Sequence, residues 1–184
     1  MGSVSRKTAL RIIYWNIVAA VIIVCLAGVS LVRRIHRYDD MIVRTGKKYD
    51  LDPRLISAVI WQESRFRPDR VGTKQEVGLM QVTQAAGTEW AEAEGVENFH
   101  LEMLFDPQKN IDAGAWYLGR AMRRWSHCDD PAPYALAEYN AGRSNALRWS
   151  KKSGNDSKRF WESITYPTTK KYVEKILKRY RGKV

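Results

Sequence analysis

From Ile12 to Val32 the chain reads IIYWNIVAAVIIVCLAGVSLV, a run of 21 residues without a charge and with Asn16 and Ser30 as its clearly polar members. A helix rises about 1.5 Å per residue, so the run is about 31 Å long, the thickness of one bilayer core. It reads as an uncleaved signal anchor, and it divides everything else. A short basic tail covers 1–11, the anchor 12–32, a charged stalk 33–46, and one globular domain 47–184. A cleavable signal peptide is the rival reading, because Arg6, Lys7 and Arg11 precede the run and a small-residue site could end at Ser30. Arg33 and Arg34 would then lie just inside the mature end, which is unfavourable for processing. Val24 is likewise a poor residue to precede a lipoprotein site at Cys25.

The net charge of +11 suggests nucleic acid until its distribution is considered. Residues 1–37 carry six Lys or Arg and no acid, leaving 25 basic against 20 acidic residues beyond, a balance of +5. The excess thus gathers beside the apolar run, where basic residues favour anionic headgroups. No aromatic-basic pattern or nucleic-acid motif accompanies it, so no nucleic-acid partner is expected. Cys25 and Cys128 fall in different regions, and neither has a second Cys or a His at metal-ligand spacing apart from His127 beside Cys128. Neither a disulfide, a metal nor another cofactor is expected.

After the stalk, where Gly46 is expected to break the helix, Asp52 and Pro53 form a start signal: an N-cap acceptor, then a residue with fixed φ and no amide to leave unpaired. That helix runs to about Glu63 or Ser64, and 65–77 reads as loop. Asp106 and Pro107 repeat the signal, followed by Ile111, Ala115, Leu118, Met122 and Trp125 at helical spacing. Leu118, Met122 and Trp125 are expected to pack against the final helix near Val173 or Ile176. Pro131 and Pro133 precede a short helix ending near Gly142, and Thr169 to Tyr180 carries the stripe of the last one. No segment alternates for long, so the fold class is all-α, with at most a small hairpin before Gly78.

In ISAVIWQESRF, residues 56–66, Glu63 falls on the face of Ile56, Val59 and Ile60. A carboxyl against apolar side chains is pushed up in pKa and can stay protonated near neutrality, as a general acid for glycosidic cleavage requires. On spacing alone the non-catalytic reading is favoured, because a Glu at a helix C-terminal end more often turns outward or pairs with an arginine, here Arg65 or Arg67. GLMQV, Gly78 to Val82, is apolar except for Gln81 and could simply open the next helix. AEYNAG, Ala137 to Gly142, has the composition of a carbohydrate contact surface and also of an ordinary helix C-cap.

Their order is more specific than any one of them. ES at Glu63 and Ser64, GLMQ at 78–81, NIDAGAWYL at 110–118, YNAG at 139–142 and YPTTKKYVEKIL at 166–177 together resemble the SLT-domain lytic transglycosylases of the lysozyme-like superfamily. The resemblance covers about 45–181. It implies cleavage of the β-1,4 bond between N-acetylmuramic acid and N-acetylglucosamine in peptidoglycan, with the muramoyl 6-hydroxyl closing on C1 to give a 1,6-anhydro product. By position it makes Glu63 the single catalytic acid and base, and Ser64, Met80, Gln81, Tyr139 and Asn140 substrate-binding residues. Tyr117 could reach the same groove or serve as a core aromatic. Partners would be glycan strands and, through the N-terminal helix, the bacterial inner membrane, with one pass and the domain in the periplasm; no protein partner is implied.

The sequence departs from the family pattern at Val82 to Ala85, where a Met-Pro step and a Thr-Ala pair are expected, and at Glu76, where a small residue is usual. Two other functions remain open. A hydrolysing muramidase needs a second carboxylate, for which Asp69, Glu76 and Glu89 are candidates. A non-catalytic wall-binding module would keep the groove without the chemistry.

Overall fold

The computed structural model describes residues 6–182, with side chains from residue 10 onward, so residues 1–5 of the expected basic tail lie outside the described residues. The chain forms α1 (Arg6–His36), α2 (Asp39–Tyr49), α3 (Pro53–Ser64), α4 (Gln84–Glu94), α5 (Pro107–Arg124), α6 (Pro131–Ala141), α7 (Arg143–Ser153), α8 (Ser157–Ser163) and α9 (Pro167–Tyr180), with a 3-10 turn at Leu101–Phe105. Among the described residues no strand forms; Val77 makes isolated antiparallel bridges to Val71 and Val82, where at most a hairpin was expected. The fold class is all-α, as the patterning predicts.

The chain divides into two compact units, 1–39 and 40–184. The first is essentially α1, which is long and apolar enough to cross a membrane, with a mean hydropathy of 2.5 over its most apolar window. Its large apolar side chains, Ile12 through Val32, are exposed, so their burial needs an environment other than this unit.

In the second unit the expected stalk over 33–46 requires correction. α2 runs through Gly46, and Ile42, Thr45, Gly46 and Tyr49 are buried along one stripe. Charges hid this amphipathic face from a reading by composition. Gly46 does not break the helix but permits a close approach: a Cβ there would sit 2.8 Å from the Leu51 carbonyl oxygen. Asp52 caps α3 by accepting from the Arg54 amide at 2.8 Å, and Asp106 caps α5 by accepting from the Lys109 amide at 2.9 Å, both as the start signals predict.

α6 occupies the centre. Ala132 to Glu138 are all buried, so the helix has no solvent face over two turns. α5, α7, α8 and α9 pack around it, α4 packs on α5, and α3 packs on α9. The expected packing of the α5 stripe against the final helix is therefore replaced by packing against α6. Trp125 stacks on Tyr134 of α6 with ring centroids 5.0 Å apart and donates its indole N–H to Glu138 at 2.8 Å. Met122 is only half-buried. A central helix buried on every side accepts neighbours all round, and periodicity in α5 alone could not tell which.

Candidate active site

α3 carries Glu63 because Ile56, Val59 and Ile60, on the same face, are fully buried and fix the rotation of the helix. The helix then ends abruptly, with Arg65 and Phe66 both in the left-handed region at φ 58° and 59°. Glu63 is half-buried, and its Oε1 accepts a 2.6 Å hydrogen bond from the Tyr172 hydroxyl of α9. Burial pushes the Glu63 carboxyl up to about 7, and the negative charge of Glu76 adds to that, while the Tyr172 hydrogen bond and the Arg70 charge pull the other way. Desolvation is the largest of these influences, so near neutrality a substantial fraction of Glu63 holds its proton.

The segment after α3 folds back on itself and brings the charges of Arg70 and Glu76 within reach of this carboxyl. Gly78 donates to the Arg70 carbonyl at 2.8 Å, and Val77 and Val82 exchange two backbone hydrogen bonds at 3.0 Å. Gly78 has φ 77°, and a Cβ would lie 2.7 Å from the Leu104 carbonyl oxygen, so glycine is required twice over. Gln81 adopts φ 49°, and its Nε2 donates to the carbonyls of Arg70 at 3.1 Å and Gly78 at 3.0 Å. From α5, fully buried Asn110 accepts from the Met80 amide at 2.7 Å and donates to the carbonyls of Val77 and Leu104 at 2.9 and 2.8 Å. One side chain thus serves three backbone groups in the interior, adding a second hydrogen bond at the Val77 carbonyl.

α6 completes the arrangement. The Tyr139 hydroxyl donates to the Met80 carbonyl at 2.8 Å, and its ring meets Tyr117 edge-on with centroids 5.9 Å apart. Burial raises both Tyr139 and Tyr172 well above the ordinary phenol value, with the Glu63 charge adding in each case. Both phenols therefore stay protonated beside the carboxyl. Asn140 is exposed, and its Oδ1 accepts from Thr169 of α9 at 2.8 Å. A pocket of ≈ 100 Å³ lies alongside, lined by Gln81, Val82, Thr83, Ala86, Gly114, Tyr117 and Tyr139.

The expected site residues thus fall into two groups. Glu63 and Tyr139 come together, and Gln81 and Tyr117 share the pocket with Tyr139. Ser64 and Met80 do not line a surface. Ser64 is fully buried and its hydroxyl donates to the Ile60 carbonyl at 3.2 Å, while the Met80 side chain is buried against Gly114. Tyr172 and Asn110 carry geometry that the sequence did not assign to them. Both stood in quoted motifs, but a helical stripe reads the first as core, and an amide gives no sign of which backbone it will meet.

The candidate second carboxylates are otherwise engaged or exposed. Glu89 pairs with Arg120 at 2.6 Å, Glu76 accepts from the Lys74 amide at 2.8 Å within its own turn, and Asp69 is exposed.

Residues 40–161 match the family described as Transglycosylase SLT domain. Among curated proteins, the membrane-bound lytic murein transglycosylase C of Salmonella arizonae is 35% identical over 150 residues, covering 78% of this chain and 40% of the relative. The protein of the same name in Klebsiella pneumoniae is 35% identical with the same coverage. The chain therefore spans about 40% of the length of these relatives. Among solved structures, an inactive mutant of the lytic transglycosylase Slt from Pseudomonas aeruginosa superposes with a TM-score of 0.70 at 27% identity, covering 79% of this chain and 23% of that one. The 70 kDa soluble lytic transglycosylase Slt70 from Escherichia coli gives 0.71 at 25% identity, covering 79% and 24%.

Proposed function

Since this chain belongs to the Transglycosylase SLT domain family, we propose that it is a peptidoglycan lytic transglycosylase with Glu63 as its acid and base. The observation that carries this reading is one half-buried carboxyl, raised to about 7, held by Tyr172. Protonated Glu63 gives its proton to the oxygen of the β-1,4 bond, which leaves with the N-acetylglucosamine side. The resulting carboxylate takes the proton of the muramoyl 6-hydroxyl as that oxygen bonds to C1. Glu63 is protonated again, no water enters, and the product ends in 1,6-anhydromuramic acid. Gln81, Tyr117 and Tyr139 line the sugar side of the groove, with Asn140 at its rim, whereas Ser64 and Met80 support the site from beneath. Mass spectrometry of products from purified sacculi tests the reaction: anhydro ends without new reducing ends are expected, and new reducing ends would assign it to hydrolysis.

Tyr172 is proposed to hold the Glu63 carboxyl for proton transfer. Its hydrogen bond favours the ionised form, so Tyr172→Phe should raise the Glu63 pKa further above 7 and move the alkaline limb of the cleavage profile to higher pH. The rate at the optimum should still fall, on the order of tenfold to a hundredfold, because the acid is no longer oriented. An alkaline limb that stays in place would remove Tyr172 from this role.

α1 is proposed to anchor the protein in the bacterial inner membrane with the catalytic domain in the periplasm. Arg33, Arg34, Arg37, Arg44, Lys47 and Lys48 follow the span and only Arg6, Lys7 and Arg11 precede it, which by charge alone favours a cytoplasmic domain. A peptidoglycan substrate requires the other side, and a short tail is readily retained by its own charges. Alkaline phosphatase fused after Val184 is expected to be active in cells, and an inactive fusion would reverse the assignment.

A further inference from the structure

The pair α3 and α9 carries a second feature that the proposed reaction does not use. On its outer side Trp61, Gln62, Arg65, Lys175, Lys178 and Arg179 line a concavity of ≈ 170 Å³. Four of the six are cationic and none is acidic. The Trp61 ring takes two guanidiniums, with Arg65 4.8 Å and Arg179 4.2 Å from its centroid. None of the four cations forms an ion pair among the described residues.

The local backbone reinforces the arrangement. Arg65 occupies the helix C-cap at φ 58°, a conformation that glycine adopts with less strain. Its Nη1 donates to the Trp61 carbonyl at 2.9 Å, which keeps the charged head over the indole. Burial and the charge of Arg65 push the Arg179 guanidinium below its ordinary value. Two like charges are thus held at one ring without a counterion, and an anion placed between them would relieve the repulsion.

We propose that this shelf binds carboxylates of the peptide portion of peptidoglycan, giving the substrate a second attachment outside the sugar groove. The inference rests on the function proposed above. Two observations favour a peptide over an anionic lipid surface. The shelf is concave, which suits an inserted carboxylate better than a flat bilayer. It is also built on the two helices that carry the site: Gln62 precedes Glu63 on α3, and Lys175 lies about one turn beyond Tyr172 on α9. Guanidiniums accept carboxylates in a bidentate geometry, and the peptides of the wall carry free carboxylates beside the muramoyl units where cleavage would occur.

The test uses the full chain in detergent with Glu63→Gln as background, pelleted with intact sacculi and with sacculi stripped of peptides by an amidase. Adding Lys175→Gln and Lys178→Gln should weaken binding to intact sacculi by roughly tenfold, as loss of two exposed charge pairs does, and leave binding to the stripped glycan unchanged. Arg179→Gln, checked for an unaltered melting curve, should act in the same direction. Unchanged binding to intact sacculi, or an equal loss on both materials, would overturn the proposal. So would a loss confined to phosphatidylglycerol vesicles, which would assign the shelf to a membrane. If the wild-type chain, with Glu63 intact, releases no anhydro product while the peptide-dependent loss persists, the shelf stands and the transglycosylase reading fails.

Discussion

Glu63→Gln is expected to lower release of anhydro products by about 100- to 10,000-fold, because an amide cannot give a proton to the leaving oxygen or take one from the 6-hydroxyl. The amide is nearly isosteric, and the Tyr172 hydroxyl can still donate to its oxygen, so the fold and the groove should persist. The same substitution carries a second, opposite effect. The folded state holds the Glu63 proton up to about pH 7, whereas the unfolded chain releases it near 4.5, so stability declines as pH rises across that window and levels off above it. Glutamine does not titrate and avoids that loss. At pH 8 the variant should therefore be more stable than the parent, by up to about 3 kcal/mol, and near pH 4 the two should be equal. Denaturant unfolding at the two pH values, beside product analysis, reads both effects. Undiminished release would end the assignment of Glu63, and equal stability at pH 8 would mean that its carboxyl is not desolvated.

Arg124→Met should have the largest effect on the fold itself. Glu138, on the central helix, is 1% exposed and is held by the Arg124 guanidinium and the Trp125 indole N–H. Removing arginine leaves a carboxylate in the core with one neutral donor, at a cost of about 3 to 5 kcal/mol. The partner experiment distinguishes lost packing from a stranded charge. Arg124→Met combined with Glu138→Leu should recover part of the stability, since the apolar pair removes the stranded charge and leaves only the Trp125 indole N–H without its acceptor. A double variant as unstable as Arg124→Met alone would place the loss in packing. Glu138 lies one residue before Tyr139, so the single variant should also impair the site through the position of α6.

What could be read from residues in order was what neighbouring residues decide among themselves. The uncharged run at 12–32 specified a helix of bilayer length, and Asp52–Pro53 and Asp106–Pro107 specified two helix starts, because caps and apolar runs act within a few residues. The 3.6-residue period likewise placed Glu63 on the face of Ile56, Val59 and Ile60. The position of Glu63 on that face was legible for that reason, whereas Tyr139 was singled out through the family resemblance. Which buried face meets which was not legible. Tyr172 is 109 residues from the carboxyl it contacts, and Met80 lies 30 residues from the Asn110 that holds its amide. In sequence both look like core or polar helix residues, as does the stripe of α5 that turned to α6 instead of α9. Apolar stripes are interchangeable as patterns, and only packing at full density, with every buried polar group paired, selects one set of partners. The same selection made α2 part of the domain and turned Ser64 and Met80 inward, so tertiary structure alone decided which motif residues face the groove.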